Sequence, residues 1–284
     1  MPESGKFGVV NGENTIRNWS VNQTSTPQKY VASNTRGGSG RKHGVQDFNG
    51  QFGGYGGSPV VLPGELFSFS GYTAPDNGTE GGTGELWTGP AIVDSVAITW
   101  GWSAAEIISY VANFSGDGPL TNATGVHSDG SDPSVPQSCG FAPMIEGTAL
   151  EDVVSAVLTI TAENQSYANS STIFDVDGNQ ECWTRRKRGN IDFTLSITQQ
   201  NHEGLGAIDV TNDVIVKLPV TDALTGGWEL KWCHSEAMSS LNVDRESGAI
   251  IGRTLNFSMN GFNPAIGFIK KPGGTDFWPT ALSS

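Results

Sequence analysis

Apolar side chains recur at every second position in several segments of this 284-residue chain. In the clearest segment, Val96, Ile98, Trp100 and Trp102 alternate with small or polar residues, as expected of a strand with one buried face. The same period occurs at 108–114, 154–160, 191–197 and 255–259. The chain also has 38 glycines and 14 prolines, which divide it into segments too short for long helices. These features predict a mainly β fold with at most one short helix in each domain.

One segment fits two local structures. Ser103 to Glu106 has the form of a capping box, which favours a short helix, whereas the alternation that follows favours a strand.

The charge content is low and its balance is acidic. Charged residues make up 16% of the chain and the net charge is −13, whereas about 25% of residues are charged in typical soluble domains. A surface rich in carboxylates disfavours binding to nucleic acid and to anionic membranes. No apolar run is long enough to span a bilayer or resembles a signal peptide, so we expect folding in a cytoplasm. Cys139, Cys182 and Cys233 are therefore expected to be free thiols.

Three short motifs occur in the same order in both halves of the chain. The segments 30–35, 41–48 and 113–118 match 167–172, 186–193 and 256–261, at offsets of 137, 145 and 143 residues. The second pair reads RKHGVQDF and RKRGNIDF. A strand that carries tryptophan precedes the last match in each half. The shared order indicates an internal duplication, in which Asp47 and Asp192 have equivalent, structural roles.

The duplication predicts two tandem domains. We place the first at 1–120 and the second at 150–263, with a linker at 121–149 and a C-terminal arm at 264–284. The linker is rich in Gly, Pro, Asp and Ser and has little periodicity. Two segments, 74–89 and 235–247, are longer than hairpins require and are predicted to be loops. We expect one of them to reach a neighbouring copy in an assembly, and a disordered surface loop without a partner in the free protein is the alternative.

Each half thus contains a strand, a Tyr-x-x-Ser-x-Thr motif, a basic loop, an Asp-Phe strand and a closing strand that ends in Asn-Phe-Ser-x-x-Gly. This arrangement resembles the tail tube proteins of tailed bacteriophages over residues 8–120 and 150–263. The closing strands at 106–120 and 248–258 are similar to the final strand of that family. The resemblance implies a β-sandwich or half-barrel in each half, whose sheets join those of neighbouring subunits.

The same resemblance implies a role and partners. Single-domain members of the family form hexameric rings, so a two-domain chain is expected to form a trimeric, pseudo-hexameric ring. Rings would stack around a tape-measure protein, and tail terminator and baseplate proteins would cap the tube. The protein would be assembled in a bacterial cytoplasm and reside in the virion tail. DNA would pass through the lumen without specific binding, and carboxylates on the lumen wall would keep it mobile.

Basic and acidic loops form the candidate assembly interface. The densest basic run is Arg185, Arg186, Lys187 and Arg188, and its counterpart in the first half is Arg41 and Lys42. Acidic residues that would complement them between rings are Asp76, Glu80 and Glu85. A solvated loop without a partner is the alternative interpretation of the basic run.

No motif indicates catalysis, a cofactor or a metal. The segment 175–179 resembles the start of a calcium loop, but Gln180 and Arg186 occupy positions that need Gly and Glu, so a turn is predicted. The glycine-rich segment 37–42 lacks the ending of a phosphate loop. We therefore expect a structural subunit and not an enzyme. Two alternatives are a capsid decoration or neck protein and a carbohydrate-binding adhesin module, which would need exposed aromatic residues.

Overall fold

The computed structural model describes residues 16–32, 38–42, 44–59, 61–72, 83–103, 106–126, 137–138, 142–176, 178–201, 213–220, 227–242, 251–260 and 267–278. Over these residues the fold is mainly β, as predicted, and consistent with a β-sandwich class. The strands of the first half are β1 (Ile16–Ser25), β2 (Gln28–Tyr30), β3 (Gly40–Lys42), β4 (Gln46–Tyr55), β5 (Leu66–Tyr72), β6 (Thr83–Gly101), β7 (Ser109–Gly116) and β8 (Thr121–Val126).

Two short strands, β9 (Met144–Ile145) and β10 (Thr148–Ala149), separate the halves. The strands of the second half are β11 (Val153–Ala162), β12 (Gln165–Tyr167), β13 (Ile173–Val176), β14 (Asn179–Cys182), β15 (Arg185–Lys187), β16 (Ile191–Asn201), β17 (Val214–Leu218), β18 (Trp228–Asn242), β19 (Ile251–Met259) and β20 (Ile269–Lys270). A 3-10 turn at Ser170–Thr172 is the one helical element among the described residues.

Fourteen strands form one antiparallel sheet. Its main order is β1-β4-β7-β6-β11-β16-β19-β18-β17-β9-β10, with β5 and β8 on β6 and β20 on β18. Three two-stranded sheets, β2-β3, β12-β15 and β13-β14, lie beside it. Since β6 joins β11, the sheet is continuous from one half of the chain to the other.

The two halves have the same topology. The order β1-β4-β7-β6 in the first half is repeated as β11-β16-β19-β18 in the second. The side strands also correspond, because β5 and β8 pair with β6 as β17 and β20 pair with β18. Between the first two long strands of each half lies a short antiparallel pair, β2-β3 or β12-β15. The structure therefore supports the internal duplication.

Strand register repeats as well. Asn49 pairs with Ser115 in the first half, and Thr194 pairs with Ser258 in the second. These positions differ by 145 and 143 residues, the offsets of the corresponding sequence motifs. The side chains of Asp47 and Asp192 each accept a hydrogen bond from the following backbone N–H, at 2.8 and 2.7 Å. Their predicted local structural role is thus present in both halves.

Every second side chain of the central strands enters the core, as the alternation predicts. Buried residues at these positions include Val96, Ile98, Trp100, Ile108, Tyr110, Ala112, Phe114, Ala156, Leu158, Ile160, Ile191, Phe193, Leu195, Ile197, Leu255 and Phe257. In the first half, β5 folds over this face, and the rings of Phe69 and Phe114 stack with centroids 4.8 Å apart. For the segment Ser103 to Glu106, the sequence allowed either a short helix or a strand. Residues 104–105 lie outside the described residues, and the alternating residues that follow form β7.

Several segments predicted to be irregular contribute strands. The proposed linker at 121–149 contains β8, β9 and β10, and the proposed arm at 264–284 contains β20. The predicted loop at 74–89 overlaps the start of β6, and the one at 235–247 overlaps the end of β18. These segments lack an alternating apolar pattern, but neighbouring strands offer backbone hydrogen bonds to them. The remaining residues of the two predicted loops, 74–82 and 243–247, lie outside the described residues.

The predicted turn after β13 is a tight hairpin, because Val176 pairs with Asn179 and Gly178 has a φ of +79°. A positive φ of this size suits glycine, which has no Cβ to clash with the backbone.

Cys182 and Cys233 are free thiols, as predicted, and Cys139 lies outside the described residues. Burial raises the pKa of Cys233 to about 12. We therefore expect iodoacetamide at pH 8 to modify the half-buried Cys182 and to leave Cys233 unmodified until the protein is denatured, because the thiolate is the reactive form. Peptide mapping by mass spectrometry measures both sites in one sample. Equal labelling of both thiols in the native protein would contradict this expectation.

Candidate assembly interface

The junction between the halves is a strand pair. Residues 95–101 of β6 pair with residues 155–161 of β11 in an antiparallel register, with Ile98 opposite Leu158. Both of these side chains are fully buried. An edge strand of the second half thereby completes the sheet of the first, and the hydrogen-bonding groups of both edges are satisfied.

A segment of the second half reaches across this junction. We call residues 163–190 the second arm; it contains β12, β13, β14 and β15. Trp183 of this arm is buried and its ring lies edge-on to Phe48 of the first half, with centroids 6.4 Å apart. The backbone N–H of Thr184 donates to the carbonyl of Gln46 at 2.9 Å. The second arm is thus attached to the core of the first half.

Two arginines of the second arm bind two aspartates of the first half. The guanidinium of Arg186 makes a two-pronged contact with the carboxylate of Asp47, at 2.8 and 2.6 Å, and also donates to the carbonyl of Gly116. Nε of Arg185 donates to Asp117 at 3.0 Å, and the same carboxylate oxygen accepts the backbone N–H of Arg186 at 2.5 Å. The hydrogen bond to Asp117 raises the pKa of Arg185. Asp117 is 3% exposed, so these donors replace the water that its carboxylate loses on burial.

Two tryptophans connect the halves at the other end of the junction. The indole N–H of Trp100 donates to the carbonyl of Pro219 at 2.7 Å, and that of Trp228 donates to the carbonyl of Gly57 at 2.5 Å. Each bond therefore joins one half to the other. A Cβ on Gly57 would lie 2.6 Å from a methyl group of Val220, so any larger residue would require Val220 to shift.

Among the described strands, the edges that correspond to this junction have no partner. β1, the equivalent of β11, pairs with β4 on one side and with no described strand on the other. The last part of β18, the equivalent of the β6 segment, pairs with β19 on one side and with no described strand on the other. The described part of the chain thus presents one unpaired copy of each half of its internal junction.

The predicted interface residues lie in different environments. Arg185 and Arg186 bind Asp117 and Asp47 within the chain, Lys187 is exposed, and Arg188 is half-buried next to Gly64. Arg41 and Lys42 are exposed on β3, and Glu85 is exposed on β6. Asp76 and Glu80 lie outside the described residues, so the predicted pairing of basic and acidic loops between rings stays a prediction.

Sequence reasoning missed Asp117 as a partner of the basic run. The sequence feature that could have drawn attention to it is the repeated motif that begins with Asn-Phe-Ser. Asp117 is the fifth residue of this motif in the first half, and Asn260 is its counterpart in the second. Only the fold brings Asp117 next to Arg185, which is 68 positions away in the chain.

Two adjacent rows of the sheet face opposite the core contain few charged residues. Paired residues form rows across the strands, of which one contains Ser20, Gln51, Asn113, Ser95, Thr161 and Asp192. The next contains Asn18, Gly53, Val111, Ala97, Thr159, Thr194 and Ser258. The second row continues to His234 of β18, so Asp192 and His234 are the ionisable residues of these two rows. Most other members of the two rows carry hydroxyl or amide groups or are small.

No known family model matches the chain, and no curated protein matches it significantly in sequence. Within the described ranges, no three His, Cys, Asp or Glu side chains are grouped as metal ligands would be. Among those residues there is also no helix with the length and apolar character needed to cross a membrane. The interface described above therefore rests on the geometry of this chain alone.

Proposed function

We propose that this protein is a structural subunit whose copies join edge to edge into a closed ring, and that the rings stack into the tail tube of a bacteriophage. The observation that carries the proposal is the β6–β11 junction together with its two counterparts, the outer edges of β1 and of the end of β18, which have no partner among the described strands. A second copy can satisfy both edges with the contacts that the chain already uses internally. Repetition of one head-to-tail contact closes a ring when the rotation between subunits allows it.

The duplication supplies a register for the contact between chains. Leu158 lies opposite Ile98 in the internal junction, and Thr159 lies opposite Ala97. The equivalent pairs place Val21 of one chain opposite Leu241 of the next, and Asn22 opposite Ser240. With two equivalent halves in each chain, a trimer would have six similar junctions, three within chains and three between them.

We assign the sheet face that contains these two rows to the lumen. The sequence led us to expect a lumen lined with carboxylates, whereas the two rows of this face have hydroxyl and amide groups and one carboxylate, Asp192. Neither row contains Lys or Arg, so neither would hold phosphate groups electrostatically. Such a wall suits a conduit through which DNA passes without specific binding.

The remaining parts of the proposal follow from this assembly. The partners would be other copies of the chain, a tape-measure protein in the lumen and terminator or baseplate proteins at the tube ends, within the virion tail. No enzymatic role is proposed. Trp100, Trp183 and Trp228 are buried and cannot stack on sugars, so the alternative of a carbohydrate-binding module would depend on the exposed rings of Tyr30 and Tyr167.

A proline in β1 tests the edge contact. The carbonyl of Ser20 points at Gly50 of β4, so the N–H of the next residue, Val21, points at the open edge. We expect Val21→Pro to remain folded but to need a concentration at least about tenfold higher for assembly, since it loses an N–H in each junction between chains. Val21→Ala is the matched control, because it shortens the side chain and keeps the N–H.

Analytical ultracentrifugation gives the assembly state of these variants, and negative-stain electron microscopy shows whether rings and tubes form. Circular dichroism confirms that each variant is folded. A wild-type protein that stays monomeric, or a Val21→Pro variant that assembles as well as Val21→Ala, would refute the edge contact. Closed rings that never stack would favour the capsid decoration or neck protein.

A further inference from the structure

The second arm has an exposed counterpart in the first half. We call residues 28–32 and 38–42 the first arm; it contains β2 and β3, which correspond to β12 and β15. Arg41 is the equivalent of Arg186, because both begin the repeated basic motif at an offset of 145 residues. The partner of Arg186 is Asp47, and the equivalent of Asp47 at the same offset is Asp192.

Arg41 and Asp192 are both available for a partner. Both residues are exposed, whereas the side chain of Arg186 is 11% exposed and that of Asp47 is 31% exposed. Within the described part of the chain, Arg41 makes no ion pair, and the carboxylate of Asp192 accepts a hydrogen bond only from the N–H of Phe193. The ion pair between Arg186 and Asp47 is thus formed within the chain. The equivalent residues, Arg41 and Asp192, do not pair with each other.

We propose that Arg41 of one chain forms a two-pronged ion pair with Asp192 of the next chain in the ring. This inference rests on the proposed function, because it requires β1 to join the edge of β18 in a second copy. The β6–β11 junction carries the second arm over the start of β4, where Asp47 lies. The equivalent junction carries the first arm over the start of β16, where Asp192 lies. Arg41 is thereby assigned to a neighbour within the ring and not to an adjacent ring.

The contact between chains would be weaker than the contact within the chain. Arg185, Trp183 and Asp117 correspond to Gly40, Gly38 and Asn260. The copy therefore lacks the second ion pair and the buried indole that hold the second arm. Its ionic part consists of one pair between exposed residues, which salt screens strongly. We infer that ring formation weakens with salt while each folded chain stays intact.

Reversal of both charges tests this pairing in the full-length protein. Arg41→Asp and Asp192→Arg each place like charges at the junction, and we expect each to raise the concentration needed for half-maximal ring formation about tenfold. The double variant restores opposite charges in reversed order, and we expect it to assemble within about threefold of wild type. Analytical ultracentrifugation at low salt measures all four proteins.

Two control variants keep the net charges matched. Lys271→Asp changes an exposed cation that follows β20, and Asp175→Arg changes an exposed acid of β13. We expect both to assemble like wild type. Thermal unfolding by circular dichroism checks that every variant is folded.

The outcomes separate the two proposals. Rings in the wild type that are restored in the double variant after loss in each single variant support the pair. Rings that tolerate either single reversal, or a double variant no better than the single ones, overturn the pair and leave the proposed function standing. A wild-type protein that never associates overturns both.

Discussion

Replacement of Trp228 by alanine is expected to lower the free energy of unfolding by about 3–5 kcal/mol, the usual range for a buried tryptophan. Trp228 is 1% exposed, and its indole N–H donates to the carbonyl of Gly57 in the other half. The variant thus loses packing and a hydrogen bond that joins the halves. Urea denaturation followed by far-UV circular dichroism measures the change.

Replacement of Trp228 by phenylalanine separates the two contributions. Most of the packing is retained, but the carbonyl of Gly57 is left without its donor in a buried site, at a cost of about 1–3 kcal/mol. Trp19→Phe is a matched control with the opposite expectation. The indole N–H of Trp19 is buried and has no hydrogen-bond partner among the described residues, so its removal should be neutral or slightly stabilising. Equal destabilisation by the two phenylalanine variants would show that the hydrogen bond from Trp228 to Gly57 does not contribute measurably to the free energy of unfolding.

Asp117→Ala is expected to lower the free energy of unfolding by about 2–3 kcal/mol. The buried carboxylate accepts hydrogen bonds from Nε of Arg185 and from the backbone of Arg186, and both donors lose their partner in the variant. We place the effect below that of a fully buried pair because the side chain of Arg185 is 36% exposed and can regain water. Urea denaturation measures this effect as well.

Two further variants test the origin of the effect. Asp117→Asn keeps an acceptor and has the residue found at the equivalent position, Asn260, so it should cost less than the alanine variant. Lys217→Ala removes a surface pair with Glu229 at 3.6 Å, in which the lysine is 48% exposed. Its expected cost is below about 1 kcal/mol. An Asp117→Ala variant as stable as Lys217→Ala would mean that the contacts of Asp117 contribute little to holding the second arm.

The duplication was the strongest prediction from sequence, and the repeated strand order and register support it. Short motifs sufficed because they mark equivalent strand ends, such as the Asp-Phe pairs at 47 and 192. The alternation of apolar residues likewise predicted the buried face of each central strand. Such patterns are local, since neighbouring side chains of a strand point to opposite faces whatever the partner strand is.

The edge strands could not be predicted in this way. β8 and β20 lie in segments without apolar alternation, and they are strands because β6 and β18 offer unpaired backbone groups there. The basic run showed the same limit. Its charge density suggested a contact between rings, but the fold uses Arg185 and Arg186 to attach the second arm to the first half.

From the sequence alone came the β class, the two copies of one unit and the side chains of the core, because these depend on residue type and on periods of a few residues. Tertiary structure alone decided which edges pair within the chain and which stay open, because edge pairing joins residues far apart in sequence. It also decided that Arg186 pairs with Asp47 within one chain, whereas the equivalent residues Arg41 and Asp192 do not. Backbone donors and acceptors are nearly the same in every residue, so the sequence does not indicate which strand edges are paired. Only the folded sheet shows which strands lie at its ends.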